Sequence, residues 1–232
     1  MISVVIPVFN EEEHIQATVR RLYEHDRSKL IDEIVIVDGG STDLTINRVK
    51  TERVRLLESP VKGRAAQMNA GASAASGDVL YFLHADTIPP PGFSQDIKEA
   101  IAKGFDAGCY RLSFDHKHWF LKANAWFTRF DIDAIRFGDQ SLFIRKDKFI
   151  ETGGFCEKHI VMEDQEFIKR IKKDNRFTIV QKPVLTSARK YLDNGIYKTQ
   201  FIFILIFFMY KAGIPQYKLL AAYRKFLNQD KL

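Results

Sequence analysis

Four polar positions in the first half of the chain stand directly after apolar runs and carry side chains that could do chemistry: Asn10, Asp38, His84 and Asp86. Asp38 is an acceptor-only carboxylate, suited to the N–H or O–H groups of a nucleoside. Behind it, Gly39-Gly40 lets the backbone come close to a ligand. The bland alternative is that Asp38 merely opens that turn. Asp86 is the strongest metal candidate, because a hard Mg2+ or Mn2+ takes one or two protein carboxylates and fills its shell with phosphate oxygens and water. His84 suits Mn2+ better than Mg2+; it fits equally a nucleotide contact or a buried histidine with one hydrogen bond. Arg64 opens a helical stretch, and its fork suits phosphate or carboxylate, although a lone Arg at a helix start is usually solvated.

These residues need a scaffold, and the apolar pattern supplies one. Nearly every residue from Ile2 to Phe9 is apolar, as expected of a parallel strand covered on both faces. Asn10 with Glu13 three residues later reads as a helix start, leading into Ile15, Val19, Leu22 and Tyr23 at helical spacing. Ile34–Val37, Val54–Leu57 and Val79–Leu83 are further strands, with Ser41-Thr42-Asp43 as a helix cap and a Gly/Ala-rich helix over Gly63–Ser76. That alternation predicts an α/β fold with a mostly parallel central sheet flanked by helices. In open sheets of this kind ligands bind beyond the carboxyl ends of the strands, where the four polar positions lie.

Composition and missing motifs narrow the function. The 232 residues are 46% apolar and 28% charged, enough for a large core and unlike a disordered chain. Two cysteines, Cys109 and Cys156, offer neither a disulfide framework nor a paired metal site. There is no GxGxxG after the first strand and no GxxxxGK[ST], which argues against a dinucleotide-binding domain or a P-loop NTPase. The Gly-rich basic loop of sugar-nucleotide pyrophosphorylases is missing too. The formal net charge of +6 resides wholly in residues 189–232, with eight Lys+Arg against two Asp+Glu. An electroneutral body argues against nucleic-acid binding, which needs a basic face on the folded domain.

The motifs that are present resemble those of the family 2 glycosyltransferases of GT-A fold. Pro7-Val8-Phe9-Asn10-Glu11 is similar to that family's P-x-[YF]-N-E, Val37–Asp43 to its V-D-D-G-S-x-D, and Gly63–Gly71 to its G-[KR]-x-x-A-x-N-x-G. His84-Ala85-Asp86 stands where the family has D-x-D, Gly138-Asp139-Gln140 precedes a strand, and Glu163-Asp164 opens a helix like the E-D motif. Each motif is weak alone; their order and spacing over residues 2–170 make the joint match strong.

The resemblance implies roles. Pro7, Phe9, Asn10, Glu11, Asp38, Gly39, Arg64, His84 and Ala85 would contact the donor nucleotide, and Arg189 would close over its diphosphate. Asp86 would hold Mn2+ or Mg2+; the His84 substitution in D-x-D puts the metal's identity in doubt more than its existence. Asp164 would be the base that deprotonates an acceptor hydroxyl in an inverting transfer, with Asp139, Gln140 and Glu163 on the acceptor side. As the plainer alternative, acidic residues favour the first turn of any helix through its dipole. Asn69 and Gly71 are expected to shape helix packing and the approach of backbone to ligand. No Q-x-x-R-W and no multiple membrane spans are found, which favours single-sugar transfer over polymerisation.

Two apolar segments complete the reading. Trp119, Phe120, Trp126, Phe127 and Phe130 suit a core stripe or, with the basic residues among them, a lipid-headgroup boundary. The sequence divides into a GT-A domain over 1–195 and a basic, aromatic-rich helical segment over 196–232. Phe201–Met209 is too short to span a bilayer, which takes about 20 apolar residues. The segment reads as an in-plane anchor at the cytoplasmic face of the membrane, with the alternative of a helix packed on the sheet or buried between two subunits of a homodimer. The expected partners are a nucleotide-diphosphate sugar, an acceptor that would include lipid-linked hydroxyls, and the membrane surface. A GT-A-like nucleotidyltransferase and a non-catalytic nucleotide-sugar binding protein are the rival readings.

Overall fold

The computed structural model describes residues 1–49, 54–135 and 138–227. Its first half runs β1 (Ile2–Val8), α1 (Ile15–His25), β2 (Ile31–Asp38), α2 (Thr45–Arg48), β3 (Val54–Glu58), α3 (Arg64–Ala74), β4 (Val79–Phe82), β5 (Thr87–Ile88) and α4 (Phe93–Ala102). The second half runs β6 (Ala107–Phe114), α5 (Trp119–Phe127), two short 3-10 turns at 133–135 and 138–140, β7 (Leu142–Arg145), α6 (Lys146–Glu151), α7 (Glu163–Asp174), β8 (Phe177–Thr186), α8 (Arg189–Asn194), α9 (Ile196–Lys211) and α10 (Gln216–Phe226). The strands form one sheet in the order β3-β2-β1-β4-β7-β6-β8-β5. β1 pairs in parallel with β2 and β4, β2 with β3, and β6 with β8, while β7 runs antiparallel between β4 and β6.

The unbroken apolar runs follow from burial on both faces. Along β1, Val4 and Ile6 point into a layer shared with Ile15, Val19 and Leu22 of α1 and with Phe93 and Ile97 of α4. Val5 points the other way, against Met68 and Ala72 of α3 and Phe167 and Ile171 of α7. Gly71 makes that second contact close: a Cβ there would strike the Val5 side chain and stand 3.0 Å from Val37 Cγ2. Asn69 brackets Phe155, its amide donating to the carbonyl and accepting from the N–H, both at 2.9 Å. Both residues thus serve packing, and the close approach at Gly71 is to Val5 and Val37 rather than to a ligand.

Asn10 departs from the expected helix start. It adopts a left-handed φ of 52°, its Oδ1 accepts from Thr42 N–H at 2.9 Å, and α1 begins only at Ile15. The parallel pairing of β1 with β2 brings the two following loops side by side, so Asn10 finds its donor across the sheet instead of in its own helix. Asp43 accepts from Thr45 N–H at 2.9 Å just ahead of the short α2, whose N-cap position is Leu44 rather than a residue of the Ser41-Thr42-Asp43 run.

The C-terminal segment is joined to the domain rather than hung from it. Ile202 and Ile206 of α9 and Leu219 and Tyr223 of α10 share a buried cluster with Leu227 and with Val161 and Met162, the residues ahead of α7. The other side of α9 stays open, with Tyr197, Phe201, Ile204 and Phe208 exposed at i, i+4, i+7 and i+11. Among the described residues, no helix is long and apolar enough to cross a membrane.

Candidate active site

A cleft opens beyond the carboxyl ends of β1 and β4. Pro7, Glu11, Arg64, His84, Ala85, Asp86, Asp139 and Arg189, all singled out in the sequence, line it together. A smaller recess shares Arg64 and His84 and adds Gly138, Glu163 and Asp164 against an apolar wall of Met68, Phe82 and Phe155. One charged corner is therefore assembled from β1, the turn after β4, α3, the 138–140 turn, α7 and α8, elements up to about 180 residues apart in the chain.

Asp164 occupies the first turn of α7. Ahead of it Met162 takes a left-handed φ of 66°, a conformation that costs a non-glycine residue of order 1 kcal/mol and persists only where surroundings enforce it. The Asp164 carboxylate accepts from Gly138 N–H and, at 2.7 Å, from Gln165 N–H. Burial, then the neighbouring Glu163 charge, pushes its carboxyl up to about 6, against the pull of those two N–H groups and of Arg64. Glu163 is 3% exposed and ion-paired with Arg64 at 3.1 Å. Burial works against the Arg64 charge, but Glu163, Asp139 and Asp164 more than offset it and hold the guanidinium protonated.

His84 Nδ1 lies 3.0 Å from Asp139 Oδ1. Burial opposes ionisation of Asp139, yet the His84 hydrogen bond and charge, with Lys190 and Arg64 beyond, hold its carboxyl well below the usual range. Gly138 sits between the two pairs: a Cβ there would meet His84 Nε2 at 2.9 Å and Asp164 Oδ2 at 3.3 Å. A larger residue here would have to push the His84 ring and the Asp164 carboxylate aside.

Other expected residues lie off the cleft. Asp38 is buried, with its carboxylate taken up by its own turn: it accepts from Gly40 N–H at 3.0 Å and from Ser41 Oγ at 2.5 Å. Gly39 is small because of Gln67, whose Nε2 would stand 2.9 Å from a Cβ and which donates to the carbonyls of Val8 and Val37. Its close approach is to protein. Phe9 is half-buried in the loop after β1. Gln140 is 1% exposed; its amide donates to the Ile135 carbonyl, and Cys109 Sγ lies 3.6 Å from its Oε1. It therefore faces the interior of the sheet, away from the cleft.

Arg189 Nη1 lies 2.9 Å from His14 Nε2, and its guanidinium lies 3.7 Å from both Glu11 and Glu13. Six cleft residues were not foreseen: Phe114, Thr186, Ser187, Lys190, Tyr191 and Phe203. Five of them flank or follow Arg189, and the Thr-Ser-Ala-Arg-Lys-Tyr run at a strand end was the available signal for four. Phe203 comes from α9 and carried none.

A divalent cation fits this donor set in one way. Among the described residues no group of three or more His, Cys, Asp and Glu forms a ready cage, and His84 Nδ1 is engaged by Asp139. Asp86 in the cleft, completed by phosphate oxygens and water, matches the habit of Mg2+ or Mn2+.

Comparison with known proteins gives the family and the fold. The profile of glycosyl transferase family 2 matches residues 3–157. Succinoglycan biosynthesis protein ExoA of Rhizobium meliloti is 30% identical over 191 residues, covering 73% of this chain and 57% of its own length. An undecaprenyl-phosphate 4-deoxy-4-formamido-L-arabinose transferase of Aeromonas hydrophila is 29% identical over 130 residues, 53% of this chain and 40% of its own. The chain thus spans less than two thirds of either relative. The solved structure of mannosyltransferase PcManGT from Pyrobaculum calidifontis, in complex with GDP-Man and Mn2+, superposes with a TM-score of 0.70 at 19% identity, over 91% of this chain and 63% of that one. With its motifs in place around a GT-A sheet, the chain belongs to glycosyl transferase family 2.

Proposed function

We propose that the protein is an inverting glycosyltransferase that moves a single sugar from a nucleotide-diphosphate sugar to an acceptor hydroxyl. The observation that carries this reading is the position of Asp164: a carboxylate held to about 6, in a recess that shares Arg64 and His84 with the cleft. A base with that value is largely ionised at neutral pH and still basic enough to accept a proton as a bond forms. The acceptor O–H gives its proton to Asp164 while its oxygen bonds to the anomeric carbon. The bond from that carbon to the diphosphate oxygen breaks, and the electron pair leaves with the nucleoside diphosphate. Arg64, Lys190 and Arg189 line the same cleft, where negative charge builds on the leaving group. No second carboxylate is needed as a nucleophile.

Asp86 would hold Mn2+ or Mg2+ together with diphosphate oxygens. When bound, the cation would neutralise charge on the departing group. The complex of PcManGT with GDP-Man and Mn2+ supports a donor and a metal of this class.

The acceptor is read as a hydroxyl on a lipid-linked molecule at the cytoplasmic membrane surface; the relative named for undecaprenyl phosphate supports a lipid carrier. The exposed stripe on α9 supports membrane contact, as does the sequence of residues 195–227, with five Lys+Arg and no acidic residue. The test is a thermal-shift screen of nucleoside diphosphates with Mn2+ and Mg2+, followed by product analysis. Stabilisation by one nucleotide with metal, and release of nucleoside diphosphate from the matching sugar donor, is the expected result. Pyrophosphate release from a triphosphate would make the protein a nucleotidyltransferase, and binding without turnover would make it a binding protein.

A further inference from the structure

The residues before α7 carry the Asp164 backbone into the recess, and two separate parts of the molecule hold them. The 152–157 stretch is tied to the domain itself: Arg170 donates to the carbonyls of Thr152 and Gly154, and Asn69 brackets Phe155. The last stretch, 159–162, is held from the C-terminal hairpin. Gln216, the first residue of α10, accepts through a single Oε1 from Ile160 N–H at 3.1 Å and from Val161 N–H at 3.0 Å. The His159 ring stacks edge-on to Tyr210 at 5.9 Å. Val161 and Met162, each 8% exposed, are sealed beneath Ile202, Ile206, Leu219 and Tyr223.

Met162 is the residue with the left-handed backbone, and Glu163-Asp164 follow it directly. A strained turn of this kind does not hold itself; it needs partners on the chain that leads into it. α9 also reaches the cleft through Phe203, over which Lys190 Nζ lies at 5.5 Å.

We propose that Gln216 is a positioning residue for the reaction: its carbonyl oxygen fixes the Ile160–Val161 peptide, so that the α9–α10 hairpin sets the entry of α7 and the aim of the Asp164 carboxylate. The inference rests on the reading of Asp164 as the base. It makes the C-terminal hairpin part of the catalytic apparatus, whatever it does at a membrane.

The test compares Gln216→Met, which keeps the length of the side chain but removes the acceptor, with Gln216→Glu, which keeps an acceptor. Both are measured in the full chain, with turnover of the donor identified by thermal shift, and with amide hydrogen exchange at residues 160–162. Gln216→Met is expected to lower kcat by about ten- to a hundredfold, as a misplaced catalytic group does, with the donor Kd unchanged and faster exchange confined to 160–162. Gln216→Glu is expected to restore most of the rate. Two results would overturn the proposal: a Gln216→Met enzyme with kcat within about twofold of wild type, or equal loss in both variants accompanied by a fall in Tm. Asp164→Asn and the double variant Asp164→Asn/Gln216→Met separate this proposal from the reading beneath it. If Gln216 acts through Asp164, the second substitution adds no loss to the first. Full activity in Asp164→Asn would instead remove the base assignment itself.

Discussion

Replacing Asp164 by Asn is the most informative single perturbation, because the same burial that makes Asp164 a candidate base fixes the sign of two effects. A base that titrates at about 6 is about nine-tenths ionised at pH 7 and about one-tenth at pH 5, so kcat should fall roughly tenfold between them. An ordinary carboxylate, titrating near 4, would lose only about a tenth of its ionised form over the same interval. Asn cannot accept the proton, and general-base catalysis contributes about 10²–10⁴-fold, so kcat of Asp164→Asn should fall by that factor and its acid limb should vanish. Stability should move the other way. With its folded value raised above the unfolded one, Asp164 binds more protons in the native state between about pH 4 and 6. Its destabilising contribution is therefore absent below about 4, grows through that window, and is complete above about 6. A carboxyl held at about 6 rather than near 4 costs the native state on the order of 3 kcal/mol. Asn retains one acceptor for the Gly138 or Gln165 N–H, so Asp164→Asn at pH 8 should melt no lower than wild type. Initial rates from pH 4.5 to 8.5, with thermal melts of both proteins across the same range, make the assay. A flat wild-type rate profile with full activity in Asp164→Asn would refute the reasoning.

Further outcomes follow from single contacts. Gly138→Ala should wedge apart His84 and Asp164, whose nearest atoms would stand 2.9 and 3.3 Å from the new Cβ; kcat should drop by about tenfold or more while the far-ultraviolet circular dichroism stays unchanged. Gly71→Ala should lower stability by about 1–3 kcal/mol in urea unfolding, the usual range for overpacking, because the added methyl strikes Val5 and Val37. Replacing Phe201 and Phe208, 67% and 64% exposed, by Glu should alter stability by no more than about 0.5 kcal/mol per site. The same pair should weaken co-sedimentation with anionic vesicles, and equal binding by wild type and variant would remove the α9 face from membrane contact.

How much of this was written in the chain differs from element to element. β1, β2 and β4 were readable because strands buried on both faces show as unbroken apolar runs. β6 and β8 were not: β8 is mostly half-exposed or exposed and contains Pro183, placed where the register shifts between Tyr110 and Arg111. A proline inside an apolar run argues against a strand unless a bulge accommodates it. Likewise, Asn10 with Glu13 matched a local helix-start pattern, yet its hydrogen bonds go to the loop after β2, which the local pattern could not reveal.

The motifs fared in the same way. Residue type and position picked out Arg64, His84 and Asp86, since a carboxylate, an imidazole and a guanidinium near strand ends are chemical choices visible one position at a time, and the resemblance to the family added Pro7, Glu11, Ala85, Asp139 and Arg189. What each does with its neighbours is a matter of distance, and distance is tertiary. The fold turned Asp38 to its own turn and Gln140 to the interior, paired Arg64 with Glu163, and lodged Gly138 between His84 and Asp164. The C-terminal segment shows the division most clearly. Its charge excess and its apolar run are properties of the sequence. That the run divides into a face buried against Val161 and Met162, beside Glu163 and Asp164, and an exposed aromatic face was decided only when α9 and α10 docked, because burial depends on what a helix meets and not on the helix alone.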